Sequence, residues 1–137
     1  MYKLMIVTHG TMAEAMKETL RMFTGDVDEV SAVGLNDTGI EDFRERLIEE
    51  IKRCYEPEKG LLVLVDLYGG TPFNLSMLEI KNKFENVEII TGVNLPLLIE
   101  ASLLKTSNLR DIIDSIQESA KTAITTPTIL TPSGGDE

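Results

Sequence analysis

Two residues in this chain are placed to do chemistry. His9, the only histidine, lies in the run IVTHG directly after an apolar stretch, and Asp66 follows a second apolar stretch and opens the run DLYGGTPFN. A neutral imidazole carries a proton on one ring nitrogen and a lone pair on the other. A carboxylate accepting from Nδ1–H fixes that tautomer, leaves Nε2 free and stabilises the ring as positive charge develops. Such a pair serves as a general base or as a nucleophile. Gly69-Gly70-Thr71-Pro72 reads as a turn feeding a helix, with Thr71 as the cap and Pro72 in the first helical position. A second helix opens near Thr11, just after Gly10. Unpaired N–H groups and the dipole at a helix start favour an anion, so two such starts beside one histidine suit a phosphoryl group. The runs around them hold no lysine or arginine, which leaves backbone and hydroxyl groups to stabilise it. Taken singly, each feature has a plainer reading. The histidine can be a turn residue, the aspartate a cap, and the Gly-Gly-Thr-Pro run a common loop without the lysine of a P-loop. The combination is what points to a reactive site.

The elements that must position these residues follow from periodicity. Tyr2–Thr8 is a short apolar run and reads as a buried strand. Met12, Ala15, Met16, Thr19, Leu20 and Phe23 then recur at helical spacing, and Gly25 stands where a C-cap glycine belongs. Glu29–Gly34 reads as a second strand. Thr38 and Glu41 form a capping box for a helix whose buried stripe is Phe43, Leu47, Ile48 and Ile51, ending near Tyr55. Leu61–Val65, apolar throughout, is expected to be a central strand covered on both faces. The next helix runs from Thr71 to about Phe84, and Val87–Thr91 is a fourth strand closed by Gly92. Two more helices are expected over Leu95–Leu104, capped by Asn94, and Asn108–Ala123. Fourfold alternation of strand and helix implies a parallel sheet with right-handed crossovers on both faces. Ligands of such sheets bind beyond the carboxyl ends of the strands, where strand order reverses. If the first strand is central, the reversal lies between strands one and three, which end at His9 and Asp66.

Composition bounds the alternatives. The chain has 137 residues, 42% of them hydrophobic, with a net charge of -10. One domain with a full core is expected, over residues 1–131. The charge argues against nucleic-acid binding, which needs a basic face. The single cysteine, Cys54, cannot form an internal disulfide, has no metal pair near it and reads as core filler. No apolar run approaches the ~20 residues that span a bilayer, and the start of the chain lacks a cleavable signal; a cytoplasmic protein is expected. In the tail, Thr125–Thr131 is bracketed by Pro127 and Pro132, so it can form only an edge strand. Residues 132–137 read as a flexible end or the start of a linker.

The runs IVTHG, DLYGGTPFN and TGVNLPLL (Thr91–Leu98), in this order and spacing, resemble the IIA component of the mannose-family sugar phosphotransferase system over Tyr2 to about Leu130. The resemblance implies an α/β fold of four parallel strands in order 2-1-3-4 and a last antiparallel strand exchanged within a homodimer. It implies that His9 accepts a phosphoryl group from the carrier HPr and hands it to a histidine of a IIB component, with the membrane IIC and IID components involved indirectly and no cofactor or metal. Asp66 matches the carboxylate that orients the histidine. Gly10, Gly69, Gly70 and Thr71 match as neighbours of the phosphate, with Thr71 where the family often has serine. Two alternatives stay open: a phosphotransfer subunit of a dihydroxyacetone kinase, and a regulatory domain of the same fold. The GVNLP match favours sugar transport. A phosphohistidine hydrolase fits poorly, because Thr8 stands where such enzymes have arginine and no second histidine is present.

Overall fold

The computed structural model describes residues 1–129. Four strands, β1 (Tyr2–His9), β2 (Ser31–Leu35), β3 (Gly60–Val65) and β4 (Val87–Thr91), form one parallel sheet in the order β2-β1-β3-β4. The strand order therefore reverses between β1 and β3. These central strands are covered on both faces, and β3 is buried along its whole length.

Successive side chains of a strand point to opposite faces, and β1 divides accordingly. Tyr2, Leu4 and Ile6 pack with Leu62 and Leu64 against α1 (Met12–Thr24), α4 (Leu95–Leu103) and α5 (Leu109–Thr122). Met5 and Val7 pack with Leu61, Val63 and Val65 against α2 (Ile40–Cys54) and the helix that follows β3. That helix is α3 (Thr71–Ser76), continued by a π turn over Met77–Lys81. Cys54 is buried, as expected of core filler. No helix among the described residues is long and apolar enough to cross a membrane.

Several expected details shift. The second strand starts at Ser31 rather than Glu29, because residues 26–30 fold into turns: Asp28 N–H donates to Asp26 Oδ1 and Val30 N–H to the Val27 carbonyl. The buried side of α1 is Ala13 and Leu20 with Met16 partly covered, and Met12 and Phe23 at the stripe's margins are exposed. The capping box at Thr38 does not form. Gly39 is the N-cap of α2, and the Thr38 hydroxyl faces the Asn36 and Asp42 side chains, which compete for it. Thr71 is likewise not the cap: Gly70 holds the extended cap conformation and Thr71 is already helical. The helix expected to run to about Phe84 changes to the π turn after Ser76. The turn's wider winding, with Asn82 N–H donating to the Met77 carbonyl, buries the consecutive residues Glu79 and Ile80. Asn94 and Asn108 do cap α4 and α5, accepting from the N–H of Leu97 and Arg110. In the tail, residues 125–129 are exposed and lie outside helix and strand. The remainder of the expected edge strand, and residues 132–137, lie outside the described residues.

Candidate active site

His9 is the last residue of β1, and Asp66 directly follows β3. Because the two strands are hydrogen-bonded neighbours in register, with Val7 paired to Val65, their ends bring the two side chains together. Asp66 Oδ2 accepts two hydrogen bonds from the same residue, one from the His9 backbone N–H and one from ring Nδ1, each 3.0 Å. A carboxylate oxygen accepts, so Nδ1 is the donor of this bond, and in a neutral imidazole that leaves the lone pair on Nε2. Backbone and ring held by one oxygen fix the imidazole's orientation. The Asp66 side chain is 13% exposed and that of His9 45%: the carboxylate is sheltered while part of the His9 side chain meets solvent. The other carboxylate oxygen, Oδ1, is buried without a protein partner.

The turn after β1 is anchored by Thr8, which is fully buried. Its Oγ1 accepts from the Ala13 N–H (2.8 Å) and donates to the His9 carbonyl (3.0 Å). This hydroxyl performs the end-capping of α1 that the Thr11 side chain does not. The first helical bond of α1 comes from Ala15 N–H to the Thr11 carbonyl, so the amides of Met12 and Glu14 precede its ladder. In α3 the first bond is from Asn74 N–H to the Gly70 carbonyl, and the amides of Thr71 and Phe73 precede it. These are the unpaired donors of two helix starts.

The glycines serve in different ways. Gly10 and Gly69 have positive φ, +59° and +87°, which favours glycine. Gly70 has ordinary backbone angles and is needed for space: a Cβ there would stand 2.9 Å from His9 Cε1 and 3.4 Å from Nε2. The Gly69–Gly70 turn thus lies directly against the ring, and Thr71 follows it into α3. The structure therefore brings His9, Asp66, Gly10, Gly69, Gly70 and Thr71 to one edge of the sheet.

The sequence reading missed Thr8's cap and also Gly34. In β2, Gly34 lies opposite the turn, and a Cβ on it would overlap the Gly10 carbonyl oxygen. The available signal was a glycine inside a strand, which often marks close backbone approach.

An oriented, part-exposed histidine at the switch point of an open parallel sheet, close to two helix starts, is an arrangement that suits a general base or a nucleophile on an α/β fold. Residues 3–117 match the family model EIIA-man, described as "PTS system fructose IIA component", and the chain belongs to that family. It is 32% identical over 119 residues to the fructose-specific EIIA component of Bacillus subtilis, covering 85% of this chain and 80% of that protein. It is 35% identical over 107 residues to the mannose-specific EIIAB component of Escherichia coli K12, covering 74% of this chain but only 31% of that longer protein. Among solved structures, the mannose/sorbose-specific IIA subunit from Enterococcus faecalis superposes with a TM-score of 0.82 at 26% identity, covering 95% of this chain and 97% of the other. The EIIA component from Streptococcus agalactiae does so at 0.79 and 29%, covering 92% and 97%.

Proposed function

We propose that this IIA component is a cytoplasmic phosphocarrier in which His9 takes a phosphoryl group from phospho-HPr and passes it to a histidine of a IIB component during sugar uptake. The observation that carries the reading is the doubly anchored His9, with its backbone N–H and Nδ1 held by Asp66 and its side chain 45% exposed. The Nε2 lone pair attacks phosphorus as the phosphorus–nitrogen bond to the donor histidine breaks, and the donor ring leaves with that electron pair. Asp66 stabilises the positive charge that builds on the His9 ring. Backbone amides at the starts of α1 and α3 face the charge on the phosphoryl oxygens. Transfer to IIB is the same displacement with His9 as leaving group. An exposed ring suits a partner that presents its phosphate on a protein surface. Among the described residues, none of four surface cavities of about 300 to 520 Å3 is lined by His9 or Asp66.

The test is incubation with HPr, the phosphoenolpyruvate-dependent first enzyme of the system and labelled phosphoenolpyruvate, followed by addition of candidate IIB proteins. The protein should acquire acid-labile label and lose it to a cognate IIB. Undiminished labelling of His9→Ala would refute the proposal.

A further inference from the structure

The His9–Gly10 turn rests on β2, which is an edge strand with β1 as its neighbour on one side. Two contacts fasten it there, and a third holds the strand beneath it. Gly10 N–H donates to the Leu35 carbonyl at 2.6 Å. The Gly10 carbonyl lies so close to the Gly34 Cα that only a residue without Cβ fits. The Gly34 carbonyl in turn accepts from Arg46 Nη2 of α2 at 2.8 Å. Arg46 is itself fixed, since its Nε donates to Asp42 Oδ2 at 2.8 Å. The Asp42 carboxyl is held below the usual carboxylate range, first by the Thr38 hydroxyl and then by Arg46.

We infer that Gly34 and Arg46 are positioning residues for His9, acting through the Gly10 peptide. Gly34 admits the peptide, and Arg46 pins the strand end on which it lies. The orientation of His9 depends on two anchors, Asp66 on the β3 side and the Gly10 turn on the β2 side. A Cβ at position 34 pushes the turn away from β2, and carbon–oxygen packing is restored only after a displacement of about 1 Å. Arg46 matters because, among the described residues, β2 has no second neighbouring strand to hold its last residues in place. A planar guanidinium bridging a carboxylate and a carbonyl does this better than a flexible ammonium.

The test uses unphosphorylated protein first, so that it is independent of the phosphocarrier reading on which the kinetic part rests. Long-range proton–nitrogen NMR reads which ring nitrogen of His9 carries the proton. Wild type should show the Nδ1–H tautomer alone. Gly34→Ala and Arg46→Gln should each show a mixture, and Arg46→Lys should recover part of the wild-type signal. Uptake of acid-labile phosphate from phospho-HPr should slow by about 100-fold in Gly34→Ala, the cost of roughly 1 Å of misplacement, and by about tenfold in Arg46→Gln, where the charged hydrogen bond to the Gly34 carbonyl is lost. A folded Gly34→Ala with wild-type tautomer and rate overturns the inference. If Gly34→Ala does not fold, Arg46→Gln decides: a lowered melting temperature with an unchanged His9 tautomer also overturns it. A shifted tautomer in the variants, with no phosphorylation of wild type, sustains the positioning role and refutes the phosphocarrier reading alone.

Discussion

Gly70→Ala separates the geometry of the site from the stability of the fold. The new Cβ would stand 2.9 Å from His9 Cε1, against an ordinary closest carbon–carbon approach of about 3.5 Å. The ring has to retreat by about 0.6 Å, and because it turns as a unit, Nδ1 moves with it. The Nδ1–Oδ2 bond, now 3.0 Å, then passes out of the range of a good hydrogen bond, which ends near ~3.2 Å. A hydrogen bond to a charged group contributes roughly 1.5–3 kcal/mol, and each ~1.4 kcal/mol is tenfold in rate. Phosphorylation by phospho-HPr should therefore slow by about 10- to 100-fold. The backbone does not object, since φ of −81° and ψ of 177° are open to any residue. Loss of a glycine from the unfolded chain even favours folding, by about 0.4–1 kcal/mol. The expected result is a folded protein with a modestly lowered melting temperature, because the backbone gain offsets only part of the lost hydrogen bond, and a much slower initial rate of acid-labile labelling. A rate within about twofold of wild type, well inside the loss set by one charged hydrogen bond, would show that contact with Gly70 does not set the ring, and the reasoning would fall.

Asp66→Asn keeps the shape and an acceptor for Nδ1–H but removes the charge that stabilises the ring as phosphate arrives. Single-turnover labelling should slow by about 10- to 100-fold, and a wild-type rate would exclude the role given to the carboxylate. Tyr2 is 2% exposed and donates to the Ala101 carbonyl. Burial first, and then Glu100, push its phenol from 10.0 up to about 12. The unfolded chain ionises first, so the stabilisation, about 2–3 kcal/mol, is complete below pH 10 and is lost as pH rises to 12. Denaturant midpoints of Tyr2→Phe should not show this alkaline decline. Glu79, buried between Lys83 and Arg44, is held below the ordinary value of 4.5, by Lys83 first, against the cost of burial, and then by Arg44. Its contribution is present above the unfolded value and lost as pH falls through the folded one. Glu79→Gln should be less stable at neutral pH and lose less stability on acidification in a urea series.

The sequence carried most of the fold because its signals were local and agreed with one another. The apolar run at 61–65, the caps Asn94 and Asn108 and the C-cap Gly25 are each readable from a few neighbours. The nearness of Asp66 to His9 was readable at one remove, since strand ends and strand order together bring them side by side. What stayed hidden depends on which atoms arrive from far along the chain. The close approach of Gly34 to Gly10 is visible only once β2 lies beside β1. Gly70 reads as a turn glycine, yet its backbone is ordinary, and what requires glycine there is a ring donated by a residue 61 positions earlier. Thr38 and Thr71 look like caps by type, but Asn36 and Asp42 compete for the first, and the second lies one residue too late. The π turn leaves no local signature, since what accompanies it is the burial of two consecutive residues, Glu79 and Ile80, against distant parts of the chain.

These details bear on how a phosphocarrier should be built. A residue that takes a phosphoryl group only to give it away must not bind it deeply, since each ~1.4 kcal/mol of extra stabilisation slows release tenfold. A lysine or arginine against the phosphate is the usual deep binder. The loops at the carboxyl ends of the four strands, residues 9–11, 36–39, 66–70 and 92–94, contain neither. The one carboxylate at the ring, Asp66, acts on the imidazole and not on the phosphate. In the proposed transfer, stabilisation of the phosphoryl oxygens falls to neutral amides, whose directionality demands an accurately placed histidine. The close contacts at Gly34 and Gly70 supply that accuracy: they press backbone against the His9 turn on one side and against its ring on the other. On this reading the site exchanges binding strength for precision, and the glycines are as much a part of the transfer machinery as the histidine they hold.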